Sequence, residues 1–295
     1  MKTIQSLFLF FIISATAQAN LEIFTCEPEW ASLAAELGGN KVNAFSATTG
    51  LQDPHHIEAR PSLIAKIRRA DLIVCTGAEL EAGWLPVLLS KSGNEKIQPG
   101  KAGFFMATDY VEMLDKPVRL DRSQGDIHAG GNPHIQTSPH NITLVAKALH
   151  QRMVEPDATH QPVYDTAYEN FTQRWNAAIT RWEQQAEPIK HKIFAVDHQS
   201  WIYLAQWLQL DMRVTLEPKP GIPPSADYLA GLVQTVKQKN IEKIIYAAYA
   251  NPRPAQWLAE KSGARAVELP FTVGGNKNVT NLFDLFDHTL KALVN

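Results

Sequence analysis

Two rhythms of apolar residues alternate along this chain. Short, mostly apolar runs at Leu21–Thr25, Val42–Phe45 and Asp71–Cys75 read as strands. Between them apolar positions fall at helical spacing. Trp30, Leu33, Ala34 and Leu37 line one face before Gly38-Gly39 ends the turn, and Ser62 to Arg69 and Glu79 to Leu89 follow the same period. Strands without polar alternation are buried on both faces, and helices interposed between them imply βαβ units around a parallel sheet. From Gly93 to Gly131 the periodicity fades, leaving Phe104-Phe105-Met106 as a short edge strand or hairpin in a loop-rich stretch.

Helical spacing returns at Ile142, breaks near Pro156, and resumes through Val163, Tyr164, Ala167, Phe171, Trp175, Ile179 and Trp182 to about Ala186. That is too much helix for a simple crossover, so the pattern predicts a helix pair or long connector. The second half then repeats the grammar of the first. Strands are expected at 193–196, 212–216, 243–246 and 266–269, with helices at 201–208, 226–237, 255–261 and 279–290. The fold class expected is α/β, with two parallel-sheet domains of four or so strands each. Residues 20–155 form the first domain, 156–190 the connecting helix and 191–295 the second domain, with no close sequence repeat between the halves.

The chain ends and the charge refine this picture. Met1-Lys2-Thr3, the uncharged run Leu7 to Ile13 and the small residues closing at Ala17-Gln18-Ala19 have the order of an export leader over residues 1–19. Its apolar core is shorter than the ~20 residues a membrane-spanning helix needs. Removing it leaves roughly 275 residues, a size at which one core commonly divides into two. With a net charge of -2 and scattered Lys and Arg, the chain lacks the basic footprint of a nucleic-acid binder. Its two cysteines, Cys26 and Cys75, each close an expected strand. An exported chain meets oxidising surroundings, where they could be linked or could stay as two separately buried thiols.

The candidate chemistry lies in the histidines. His55 follows Asp53-Pro54 in a proline-bounded loop, His134 sits in Asn132-Pro133-His134 ahead of another proline-bounded turn, and His198 comes one residue after the strand at 193–196. Residues at the carboxyl ends of parallel strands meet in the crevice where open α/β sheets bind ligands. Neutral imidazole is a good ligand for zinc near neutral pH. Two of these histidines come from the first half and one from the second, so one ion could bridge the domains in a metal cleft. His56 competes with His55, and His128 could assist in a Gly-flanked loop. His140, His150, His160, His191 and His288 fall in helical or linking segments.

Asp53-Pro54-His55, Arg60-Pro61-Ser62, Ala70 to Val74, Gly77 to Glu81 and Trp84-Leu85 resemble the amino-terminal domain of the zinc and manganese solute-binding proteins of bacterial ABC importers. Asn132-Pro133-His134, His198-Gln199-Ser200-Trp201 and Leu269-Pro270 fall in the expected order, so the resemblance covers the whole mature chain. It implies two α/β domains joined by one long helix, with the metal at their interface. By that resemblance His55, His134 and His198 are the metal ligands, the partner is a cognate ABC importer permease, and the protein is a periplasmic monomer rather than an enzyme. Many relatives add a carboxylate near the last strand, but here Leu269 to Gly275 contains no Asp or Glu. The fourth position is left to water or to a carboxylate such as Glu217. Three imidazoles favour zinc, with manganese, which prefers oxygen ligands, less favoured; the alternative is a manganese or iron carrier of the same fold. A zinc hydrolase would use the same histidines but lacks a well-placed general base, and an adhesion role would require binding independent of metal.

Overall fold

The structure is a computed structural model and describes residues 19–119 and 125–295. The expected export leader lies, apart from Ala19, outside the described residues. Two sheets form the frame. β1 (Leu21–Thr25), β2 (Val42–Ser46), β3 (Leu72–Cys75) and β4 (Phe104–Met106) are parallel in the order β2-β1-β3-β4. β5 (Ile193–Val196), β6 (Asp211–Thr215), β7 (Lys243–Ala247) and β8 (Arg265–Leu269) repeat that arrangement as β6-β5-β7-β8. In each sheet the chain moves from the first strand to one side, then crosses back to the other. The strand ends on either side of that reversal open a crevice. Phe104–Met106 is thus an edge strand paired in parallel with β3, not a hairpin.

The helices are α1 (Pro28–Gly38), α2 (Pro61–Ile67), α3 (Leu85–Ser92), α4 (Pro139–Val154), α5 (Gln161–Ala186), α6 (Ile202–Leu208), α7 (Ala226–Gln238), α8 (Arg253–Ser262) and α9 (Leu282–Val294). Several open on proline, whose fixed φ and missing N–H suit the first helical turn. The helix expected from Glu79 starts six residues later, at Leu85. Ala78 and Glu79 hold positive φ angles of 49° and 68°, which no α-helix accommodates, so residues 77–84 form turns instead.

The long helix α5 joins the halves and packs against α1, α4 and α9. Its inner face buries Tyr164, Phe171, Trp175, Ile179 and Trp182. These rings meet α9, with Trp175 and Trp182 centred 5.5 and 5.0 Å from Phe286. Offset and edge-on aromatic contacts of this kind add to the burial itself. One apolar core therefore runs continuously from the first sheet, through α5, into the second. Separate cores cover the outer faces of the two sheets.

Cys26 and Cys75 are joined by a disulfide, which settles the choice left open by the sequence. Their strands are neighbours in register, Thr25 opposite Val74, so the next residue of each comes side by side, with Cα atoms 4.7 Å apart.

Candidate metal centre

His55, His134 and His198 come together between the two lobes, each offering one ring nitrogen, all within 4.8 Å of one another. Their ring centres lie 5.3 Å (His55–His134), 5.6 Å (His134–His198) and 6.0 Å (His55–His198) apart. Imidazoles bound through one nitrogen to a tetrahedral zinc at ~2.0–2.1 Å place their ring centres about 5 Å apart. The spacing of this trio is close to that.

Each ring is held differently. In the loop after β2, the His55 Nδ1–H donates to Asp53 Oδ1 at 2.7 Å, and its backbone N–H donates to the same oxygen. Burial pushes the Asp53 carboxyl up, but its bonds to His55 outweigh that and leave its pKa lowered. With Nδ1 engaged, His55 presents Nε2, which is buried and has no protein partner. Trp84 fixes the same loop by donating from Nε1 to the Pro54 carbonyl.

His198 follows β5 directly. Its Nδ1 meets Glu217 Oε2 at 2.7 Å, and that oxygen also accepts from the Gly221 N–H. Burial opposes charge on His198, yet the hydrogen bond and negative charge of Glu217 prevail, so its pKa is raised. Glu217, considered from sequence as a fourth ligand, thus stands behind the ring and orients it, as carboxylates behind metal-binding histidines do. Asp197 supports the turn, accepting from the His198 and Ala247 backbone N–H groups.

His134 is almost fully buried and both of its ring nitrogens lack a protein partner. Burial, and then the neighbouring imidazoles, hold its pKa well below the ordinary value, so it is neutral and able to ligate. Its backbone N–H donates to Asn132 Oδ1, while Asn132 Nδ2 donates to the Gln199 carbonyl and Tyr203 donates to the Asn132 carbonyl. Asn132 therefore ties the loop carrying His134 to the second lobe.

Other expectations are sorted by the same geometry. His56 is exposed beside the trio, and His140, His150 and His160 pair with Glu183, Asp165 and Asp157 away from it. Phe271, from the segment after β8, sets its ring edge-on to His134 at 5.3 Å, so an apolar wall stands there. Tyr249 packs on Phe271, and burial, reinforced by the charges of Asp53 and Asp197, raises its pKa well above the ordinary value. Asn132 belongs to the Asn132-Pro133-His134 motif, whereas the only signal for Tyr249 is its place just past a strand.

The comparisons with known proteins agree with this architecture. The family model described as zinc-uptake complex component A, periplasmic, matches residues 23–295. The high-affinity zinc uptake system protein ZnuA of Bacillus subtilis (strain 168) is 24% identical over 250 residues, covering 82% of this chain and 76% of its own. The manganese ABC transporter substrate-binding lipoprotein PsaA of Streptococcus pneumoniae is 21% identical over 259 residues, covering 84% and 79%. A solved structure of a zinc-bound ZnuA deletion mutant superposes with a TM-score of 0.77 at 21% identity, covering 94% of this chain and 99% of that one. Proteins of this kind are periplasmic carriers of transition metal ions that serve a membrane permease; they are not enzymes. The protein belongs to the periplasmic zinc-uptake component A family of ABC-importer solute-binding proteins.

Proposed function

We propose that the cargo is zinc, held by His55, His134 and His198 and passed to the cognate permease. The observation carrying this reading is the convergence of three imidazoles whose free nitrogens, Nε2 of His55 and both of His134, are buried without partners. Buried polar atoms left unpaired are costly, and an ion accepting the lone pair of His55 Nε2 and that of one His134 nitrogen removes that cost for both. The donor set favours zinc. Imidazole suits zinc, whereas manganese prefers carboxylate and carbonyl oxygen. The nearby carboxylates of Asp53 and Glu217 are turned to the far nitrogens of the rings. The manganese named for one relative makes a manganese carrier the second reading. In this scheme residues 1–19 direct export, residues 20–155 and 191–295 form the two metal-binding domains, 156–190 connects them, and the carrier acts as a monomer.

Chelator-competition titration of the metal-stripped protein tests the assignment. Zinc should bind far more tightly than manganese, and His55→Ala, His134→Ala and His198→Ala should each weaken zinc. Unchanged zinc affinity in all three variants would eliminate the site, and tighter manganese binding would transfer the reading to that metal.

A further inference from the structure

Three imidazoles leave a tetrahedral zinc one ligand short. The surroundings narrow what can fill the gap. Phe271 occupies the wall beside His134, and the next residue, Thr272, spends its hydroxyl on buried Glu29. Asp53 and Glu217 face the outer nitrogens of His55 and His198. Glu79 accepts from the Ala129 N–H, and His56 is exposed.

One further imidazole remains. His128 Nε2 is buried with no protein partner, and its ring centre lies 5.3 Å from that of His55, the same separation as between His55 and His134. The segment carrying it spans both lobes. The Asp126 N–H donates to the Pro220 carbonyl in the second lobe, and the Ala129 N–H donates to Glu79 in the first. Gly125 makes that crossing possible, because at φ +89° a Cβ would come within 2.1 Å of the Pro220 oxygen. A cavity of about 670 Å³ is lined by His55, His56, Glu79, His128 and Ile222, so His128 and His55 border the same space.

We propose that His128 is the fourth ligand, turning its imidazole from its place over His55 onto the ion and closing the site with four nitrogens. The assignment rests on the reading of His55, His134 and His198 as the other three. Among the described rings His128 contacts no member of the trio except His55, so ligation requires rotation about its own side-chain bonds. A fourth imidazole in place of oxygen sharpens discrimination against manganese and shields the ion from solvent.

The test uses the mature protein loaded with zinc or with cobalt(II), whose visible d–d absorption reports its ligands. His128→Ala is compared with the parent, with the three other histidine variants, and with His140→Ala as a surface control. The expected result is a shifted cobalt envelope, as water replaces nitrogen, with zinc affinity lower by at least the about 10- to 100-fold that loss of a mere supporting partner costs. A cobalt spectrum superimposable on the parent's overturns the proposal, whether or not affinity falls, since a loss of affinity alone would mean that His128 acts through its loop. If His55→Ala, His134→Ala and His198→Ala abolish binding while His128→Ala leaves spectrum and affinity intact, only the fourth ligand is wrong. If none of the four variants matters, the three-histidine site itself fails.

Discussion

The two lobes share one strand order but use the end of their central strand in opposite ways. After β5 the chain places Asp197 and His198 at the crevice, and the turn after β6 brings Glu217 behind that ring. After β1, at the equivalent place, stand Cys26 and Glu27, tied to β3 by the disulfide and by Glu27 accepting from the Thr76 backbone and hydroxyl. Glu29 and Glu81 are buried close by, Glu81 accepting from the Gly77 N–H. The central strand of the second lobe thus ends in a proposed ligand, and that of the first ends in a lock. The first lobe supplies its imidazoles from the longer connections after β2 and β4. A ligand carried on a loop has to be held by its neighbours, and a locked platform beneath it provides fixed points for that.

The largest break in this comparison comes from removing a ligand. His134→Ala should lower zinc affinity by more than the about 10- to 100-fold expected for loss of a supporting partner, read by chelator competition. Removing the lock acts on stability instead. Replacing both Cys26 and Cys75 by Ala opens a link across a sequence separation of 49 residues and should destabilise the protein by about 4 kcal/mol on loop-closure entropy, measured by denaturant unfolding. Zinc affinity of the folded variant should change far less than in His134→Ala. An equal loss would show that the first lobe does more than hold its loops in place.

The partners behind the rings come next. Glu217→Gln and Asp53→Asn keep the shape but weaken the carboxylate's hold on Nδ1, so each should reduce zinc affinity by about 10-fold or more. The smallest effect concerns the buried acids. Burial raises Glu29 and Glu81 from 4.5 to about 7, and raises Glu27, which also faces the charges of Glu81 and Glu29. Between those pH values the folded chain holds more protons than the unfolded one. Their contribution is therefore fully present below 4.5 and is lost as pH rises through about 7. Glu29→Gln keeps an acceptor for Thr272 and removes the charge, so from about pH 5 to about pH 8 the metal-free variant should gain on the order of 1–3 kcal/mol relative to the parent. Parallel stability–pH curves for the two proteins would contradict this.

Much of the frame is legible in the sequence because buried parallel strands and amphipathic helices write different periods. His55, His134 and His198 are legible for a related reason: each lies where a strand has just ended or a proline-bounded turn begins. What the sequence hides depends on contacts between distant residues. Glu27, Glu29 and Glu81 are of a residue type that ordinarily stays in solvent, yet all three are buried. The choice of Glu217 as a support rather than a ligand follows from where its loop crosses His198, 19 residues earlier in the chain. The delayed start of α3 comes from left-handed backbone at Ala78 and Glu79, residues whose types give no hint of it.

The core threaded through α5 has one more consequence. Prising the lobes apart as a clam opens would draw the interlocked rings of Trp175, Trp182 and Phe286 into water, each several kcal/mol of lost burial at about 25 cal/mol per Å². A carrier built this way yields its cargo by the loosening of a few rim segments while its spine stays rigid. The permease's grip is then best sought at the mouth of the cleft, where a small push has the most leverage on the ion.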